Sequence, residues 1–73
     1  MTHNIEILST EQAKWLYEIR DDANFYQSID RNDQVMVQTI LQQRKYYHSE
    51  RVYLEDIRQK WIRYVKLNNH KTI

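Results

Sequence analysis

A chain of 73 residues with neither glycine nor proline has few ways to turn sharply. Average usage would put about nine of these residues in such a chain. Turns that need a positive φ must therefore be rare, or be made by Asn and Asp. Strands joined by short hairpins are the first architecture this disfavours, because their primed turns lean on glycine. Helices joined by Asn and Asp linkers remain, which predicts an all-α protein.

The length predicts one domain over residues 1–73, since a core of this size leaves no apolar surface for a second. Domains this short often need disulfides, a metal or a partner, yet there is no cysteine for a bridge or a zinc-thiolate site. The longest uncharged apolar runs are a few residues, far short of the roughly 20 that a membrane span requires. The first residues lack a basic-then-apolar signal pattern. A soluble, unexported protein of a reducing cytoplasm is the expectation, with no membrane partner.

Ile5-Glu6-Ile7-Leu8 alternates like an extended segment, fit to lie on the core or on a partner's sheet edge. Ser9 or Thr10 then caps a helix, with Gln12 in capping-box position after Ser9. This first helix runs from about residue 10 to 22 and turns Trp15, Leu16, Ile19 and Ala23 into one arc. Ala23 to Ile29 carries Phe25, Tyr26 and Ile29 inward as a short extra helix or turn, and Ser28 to Asn32 reads as a linker.

A second helix, about 33–47 and capped by Asn32 or Asp33, places Met36, Val37, Ile40, Leu41 and Tyr47 on one side. Arg44 sits in that arc near the helix end, its stem able to pack while the guanidinium reaches water. Ser49 caps a third helix, about 50–67, with a stripe of Tyr53, Leu54, Ile57, Trp61, Tyr64 and Val65. The residues after Leu67 read as a frayed tail. The fold expected is a compact three-helix bundle, with Trp15, Leu16, Ile19, Val37, Ile40, Leu41, Leu54, Ile57 and Trp61 in one core.

Catalysis needs a nucleophile with a base, a metal, or a phosphate cradle. His3 and His70 lie in the ends, and His48 reads as a cap for the second helix. Asp21-Asp22 and Glu55-Asp56 are adjacent pairs whose members point about 100° apart on a helix, so neither converges on a metal. The reading is a binding protein and not an enzyme, with no cofactor, no metal and no small-molecule substrate.

The formal charge of +1 hides an uneven distribution. Residues 1–42 hold three basic and seven acidic groups, a net −4, and residues 43–73 hold eight basic and three acidic, a net +5. Arg51, Arg58, Arg63 and Lys66 on the last helix are the candidate electrostatic contacts, able to hold nucleic acid without reading bases. Three helices ending in a basic one resemble helix-turn-helix DNA readers in outline. Glu55 and Asp56 interrupt the exposed face, however, and its cations spread around the helix. Tyr17, Val35, Tyr46, Val52 and Ile62 fall outside the core arcs and, with Ile5 and Ile7, are candidate anchors for a protein partner.

Leu8-Ser9-Thr10-Glu11-Gln12-Ala13-Lys14-Trp15-Leu16-Tyr17-Glu18-Ile19 is similar to a pattern, Leu-Ser-x-x-Gln-x-x-Trp-Leu-x-x-Ile, of small bacteriophage proteins. With its acidic front, basic back and lack of Cys, Gly and Pro, the chain resembles early phage proteins that take over a host machine. It most resembles short Xanthomonas-phage transcription regulators that bind bacterial RNA polymerase. That resemblance implies a bacterial host's RNA polymerase as partner, with initiation inhibited and termination suppressed by steric competition. A DNA-binding regulator, an inhibitor of a host defence protein and a homodimeric structural module are the alternatives.

Overall fold

The computed structural model describes residues 4–71, with side chains described for 4–68. Among these residues the chain forms β1 (Ile5–Ile7), α1 (Thr10–Asp21), α2 (Ala23–Ser28), α3 (Arg31–Gln43), β2 (Lys45–Tyr47), a 3-10 turn (His48–Glu50) and α4 (Arg51–Lys71). The protein is thus mainly helical, with the short extra helix expected between the first two long ones, and it departs from the expected three-helix bundle by a two-stranded antiparallel sheet.

The start of α1 follows from local chemistry. The Gln12 amide N–H donates to Ser9 Oγ at 3.0 Å, and the Ser9 N–H donates to Gln12 Oε1 at 2.9 Å, closing a capping box. Asp22 serves two helices. Its N–H closes the end of α1 on the Glu18 carbonyl at 3.1 Å, while its Oδ1 accepts the Phe25 N–H at 3.1 Å and caps α2. The short helix expected after Ala23 is therefore present, and Phe25 and Ile29 are buried.

A reciprocal pair of bonds ties α2 to α3. Tyr26 Oη donates to the Gln34 carbonyl at 2.8 Å, and Gln34 Nε2 donates to the Tyr26 carbonyl at 2.6 Å. Asp30, and not Asn32 or Asp33, occupies the residue before α3. Asp33 lies inside the first turn, where it favours the positive helix end and pairs with Lys60 at 3.5 Å.

The largest departure from the helical reading lies at the end of α3. Arg44 takes a left-handed conformation, φ 60 and ψ 28, and its N–H donates to the Ile40 carbonyl at 2.7 Å. The helix expected to reach Tyr47 stops there. The positive φ is supplied by an arginine and not by Asn or Asp, and the chain reverses into β2. Strand alternation then turns Tyr46 inward and Tyr47 outward, the opposite of their helical positions. Tyr46 is 4% exposed and Tyr47 52%.

β1 and β2 pair as Ile5 with Tyr47, Glu6 with Tyr46 and Ile7 with Lys45. The sheet joins distant segments and needs no hairpin, which is how a chain without glycine contains one. His48 ends this ladder, donating its N–H to the Asn4 carbonyl at 2.7 Å, and does not cap a helix. Ser49 lies within the 3-10 turn and is not the cap of α4; the Glu50 carboxylate accepts the Tyr47 N–H at 2.9 Å.

Leu16, Ile19, Val37, Ile40, Leu54 and Ile57 are fully buried at the centre, with Phe25, Ile29, Leu41 and Tyr46 around them. Trp15 and Trp61 pack against this core from its rim. Phe25 meets Trp61 and Tyr64 with ring centroids 5.1 Å away in each case. Tyr53, expected in the core stripe, is 58% exposed. α4 also outlasts the apolar stripe: it continues through the expected tail to Lys71, while Thr72 and Ile73, like His3, lie outside the described residues. The side chain of His70 lies outside them too.

A helix of 21 residues is about 31 Å long, more than the core can cover. The molecule accordingly measures 52 × 22 × 18 Å.

Two stability measurements follow. Ile57→Ala should cost about 2–5 kcal/mol, because the residue is wholly buried. Arg44→Gly should instead raise stability by about 0.5–1 kcal/mol, because glycine occupies the left-handed region without a Cβ clash. Thermal melts check both, and a lower melting temperature for Arg44→Gly would show that the reversal depends on the arginine side chain.

Candidate functional site

The sheet presents two unlike faces, and among the described residues no strand lies along the edge of β1 away from β2. The Leu8 N–H donates to the Arg44 carbonyl at 3.1 Å and the His48 N–H to the Asn4 carbonyl, so the even-numbered residues of β1 turn their main chain towards β2. Ile5 and Ile7 consequently direct their N–H and C=O groups away from β2. Their side chains stand on the outer face with those of Lys45 and Tyr47. Ile5 is 46% exposed and Ile7 76%.

The inner face is held by a chain of polar contacts. Gln12 Nε2 donates to Tyr46 Oη at 3.1 Å, Tyr46 Oη donates to Glu6 Oε1 at 3.2 Å, and Glu6 Oε2 meets Nδ1 of His48. The Tyr46 hydroxyl is thereby satisfied although its ring is in the core. The His48 hydrogen bond holds the Glu6 carboxyl below its ordinary value of 4.5. Partial desolvation pushes the other way, and the Tyr46 hydrogen bond and the charges of His48 and Arg51 add to the lowering.

The expected partner-binding residues do not form one surface. Ile5 and Ile7 stand together on β1, and Val52, 73% exposed, lies in the first turn of α4. Val52 follows Tyr47 by five positions, through the 3-10 turn and into α4. Tyr17 and Ile62 are partly buried. Tyr17 packs on the core under the Arg20 guanidinium, 4.8 Å from its ring, and lines a separate cleft of about 180 Å³ with Leu8 and Leu41. Val35 is exposed on α3, whereas Tyr46 is a core residue and cannot be an anchor.

The basic residues are also divided. Arg51 and Arg58 line a groove of about 420 Å³ beside β1 in which Glu6, Glu11 and Glu55 also stand. Arg63 lines another cleft with Phe25, Asp30 and Tyr64, and Lys66 is exposed on α4. Lys60 is engaged with Asp33 and with Asp56, 3.3 Å away, and the hydrogen bond to Asp56 leads the effects that raise its pKa. The five cations Arg51, Arg58, Lys60, Arg63 and Lys66 of one helix are therefore divided among different surroundings. Among the described residues, no three His, Asp or Glu side chains converge as a metal site requires, and no helix is long and apolar enough to cross a membrane.

Sequence reasoning found Ile5, Ile7 and Val52 as exposed aliphatics but missed Tyr47 and Tyr53. Lys45-Tyr46-Tyr47 carries no alternation that could have signalled this, because two identical side chains are sent to opposite faces only by the strand's period of two.

The lowered Glu6 pKa sets a pH dependence. A carboxylate more acidic when folded contributes stability above its unfolded value of 4.5, and loses it as the pH falls through the lower folded value. Melts from neutral to acid pH should therefore show wild type above Glu6→Gln near neutrality and the two converging at the acid end. A constant gap across the range would assign the effect to packing. No family model matches the chain, and neither a curated protein nor a solved structure does, so the reading of its site rests on these contacts.

Proposed function

We propose that this is a non-catalytic regulator that docks on a protein through β1 and the exposed side chains beside it, and acts by occupying a surface that another factor needs. The observation that carries this reading is the unpaired edge of β1, where Ile5 and Ile7 offer main-chain donors and acceptors together with exposed aliphatic side chains. An extended segment can add to such an edge, with main-chain bonds for affinity and alternate side chains for choice. Tyr47, paired with Ile5, extends the exposed apolar row, and Val52 stands exposed five positions further along the chain.

The sequence resemblance supplies the proposed partner, the RNA polymerase of a bacterial host. On that reading the protein is a phage regulator that inhibits initiation and favours read-through of terminators by steric competition. Direct reading of DNA finds less support, because Arg51 and Arg58 share their groove with three carboxylates and Arg63 lies in a separate cleft.

Binding of the purified chain to purified bacterial RNA polymerase, paired with promoter transcription in vitro, tests the proposal. Ile5→Ser with Ile7→Ser should weaken binding by about tenfold or more, equivalent to about 1.4 kcal/mol, and relieve inhibition in step. Unchanged melting would locate the loss at the interface. No binding by the wild type would overturn the polymerase assignment, and equal binding by the double variant would remove β1 from the interface.

A further inference from the structure

We propose that two copies of this chain associate through the outer edge of β1, Ile5 of each opposite Ile7 of the other, so that two β2–β1 ladders become one four-stranded antiparallel sheet. The inference builds on the reading of β1 as a docking edge and adds a regulation to it: the edge closes on a second copy when no other protein holds it.

The case begins with the spacing of the unpaired groups. Ile5 and Ile7 are the strand residues of β1 whose N–H and C=O groups point away from β2. An antiparallel partner strand must offer the same two-residue spacing in reverse. A second β1 does so about a two-fold axis at Glu6, where Ile5 exchanges both main-chain bonds with Ile7 of the other copy and Ile7 with its Ile5. Every outward donor and acceptor of the two isoleucines then has a partner, and the contact is isologous, so it closes at two copies.

Side chains follow the same register. On the outer face each Ile5 stands beside an Ile7 of the second copy, and the row continues to Tyr47 on one side and Lys45 on the other. Isoleucines that are 46% and 76% exposed in the single chain thus acquire aliphatic neighbours.

Charge favours the same occupant. The groove beside β1 carries Arg51 and Arg58 together with Glu6, Glu11 and Glu55. A strongly acidic or strongly basic strand meets repulsion there as well as attraction, whereas a second copy brings a similarly mixed set and a formal net charge of only +1. The two Glu6 residues oppose each other at the axis, an unfavourable pairing. Tyr46 and His48, both on the β2 side, bind each Glu6 carboxylate away from that axis. A strand of three residues limits the pairing to a few bonds, so the association is reversible and concentration-dependent.

Sedimentation of the purified chain from micromolar to about 1 mM, combined with amide hydrogen exchange, tests the proposal. The expected result is a concentration-dependent rise from 9.1 kDa towards twice that mass, with the Ile5 and Ile7 amides exchanging freely in dilute samples and protected in concentrated ones. Ile7→Pro should keep the mass at that of one chain, because proline removes an N–H that points away from β2 and leaves the internal ladder intact. Val35→Lys, on α3, should associate like wild type. The exchange measurement needs no substitution and decides the matter even if Ile7→Pro fails to fold. A single-chain mass throughout, or Ile5 and Ile7 amides equally exposed at both extremes, would overturn the proposal. A chain that binds polymerase yet stays single overturns only the dimer; one that pairs but ignores polymerase overturns only the polymerase reading.

Discussion

The backbone reversal at Arg44 is the constraint on which the rest of the arrangement depends. Up to Gln43 the chain is an amphipathic helix with Val37, Ile40 and Leu41 in the core. One residue with φ 60 ends it and points the next three residues back along the molecule. β2 then exists, β1 has something to pair with, and the N-terminal segment is anchored by a ladder. Without that reversal Tyr46 would stay on the solvent side of a longer helix, and Ile5 and Ile7 would have no strand beside them.

Burying Tyr46 creates an obligation that the neighbouring elements meet. A phenolic hydroxyl near the core must find hydrogen-bond partners or cost stability. It accepts from Gln12 of α1 and donates to Glu6 of β1, and Glu6 in turn engages His48 beyond β2. Gln12 has two tasks, since its side-chain oxygen also closes the capping box with Ser9. One glutamine thus couples the start of α1 to the sheet. The same polar chain that anchors the inner face leaves Ile5 and Ile7 exposed on the outer face of β1, the surface on which the proposed docking rests.

The uneven charge along the chain turns out differently in three dimensions. The basic C-terminal half does not assemble a single cationic surface. Lys60 is neutralised by Asp33 and Asp56, Arg51 and Arg58 face three glutamates, and Arg63 turns towards α2. Folding sets Asp33 of the acidic front against Lys60 of the basic back, and Glu6 and Glu11 beside Arg51 and Arg58. The proposed docking accordingly rests on the exposed aliphatics of β1 and not on a broad cationic face.

Local and periodic features were legible in the sequence because their causes lie within a few residues. Ser9 and Gln12 specify the start of α1, the spacing of Leu16 and Ile19 and of Leu54 and Ile57 specifies the buried faces, and the absence of glycine and proline favours helices. The sheet was not legible in this way, because its strands are three residues each and lie some forty positions apart. Tyr46 and Tyr47 exchange the roles a helical period gives them, since a period of two replaces one of 3.6 after Arg44. Tyr53 shows the complementary limit: its helical position gives it a direction, but an end of α4 has nothing in that direction to bury it. The sequence alone determined the start of α1 and most of the stripes that the helices bury, because capping and amphipathicity are short-range. Only the tertiary structure decided that Arg44 turns the chain, that Glu6 meets Tyr46 and His48, and that the β1 edge is left open, because each depends on which distant segment arrives alongside.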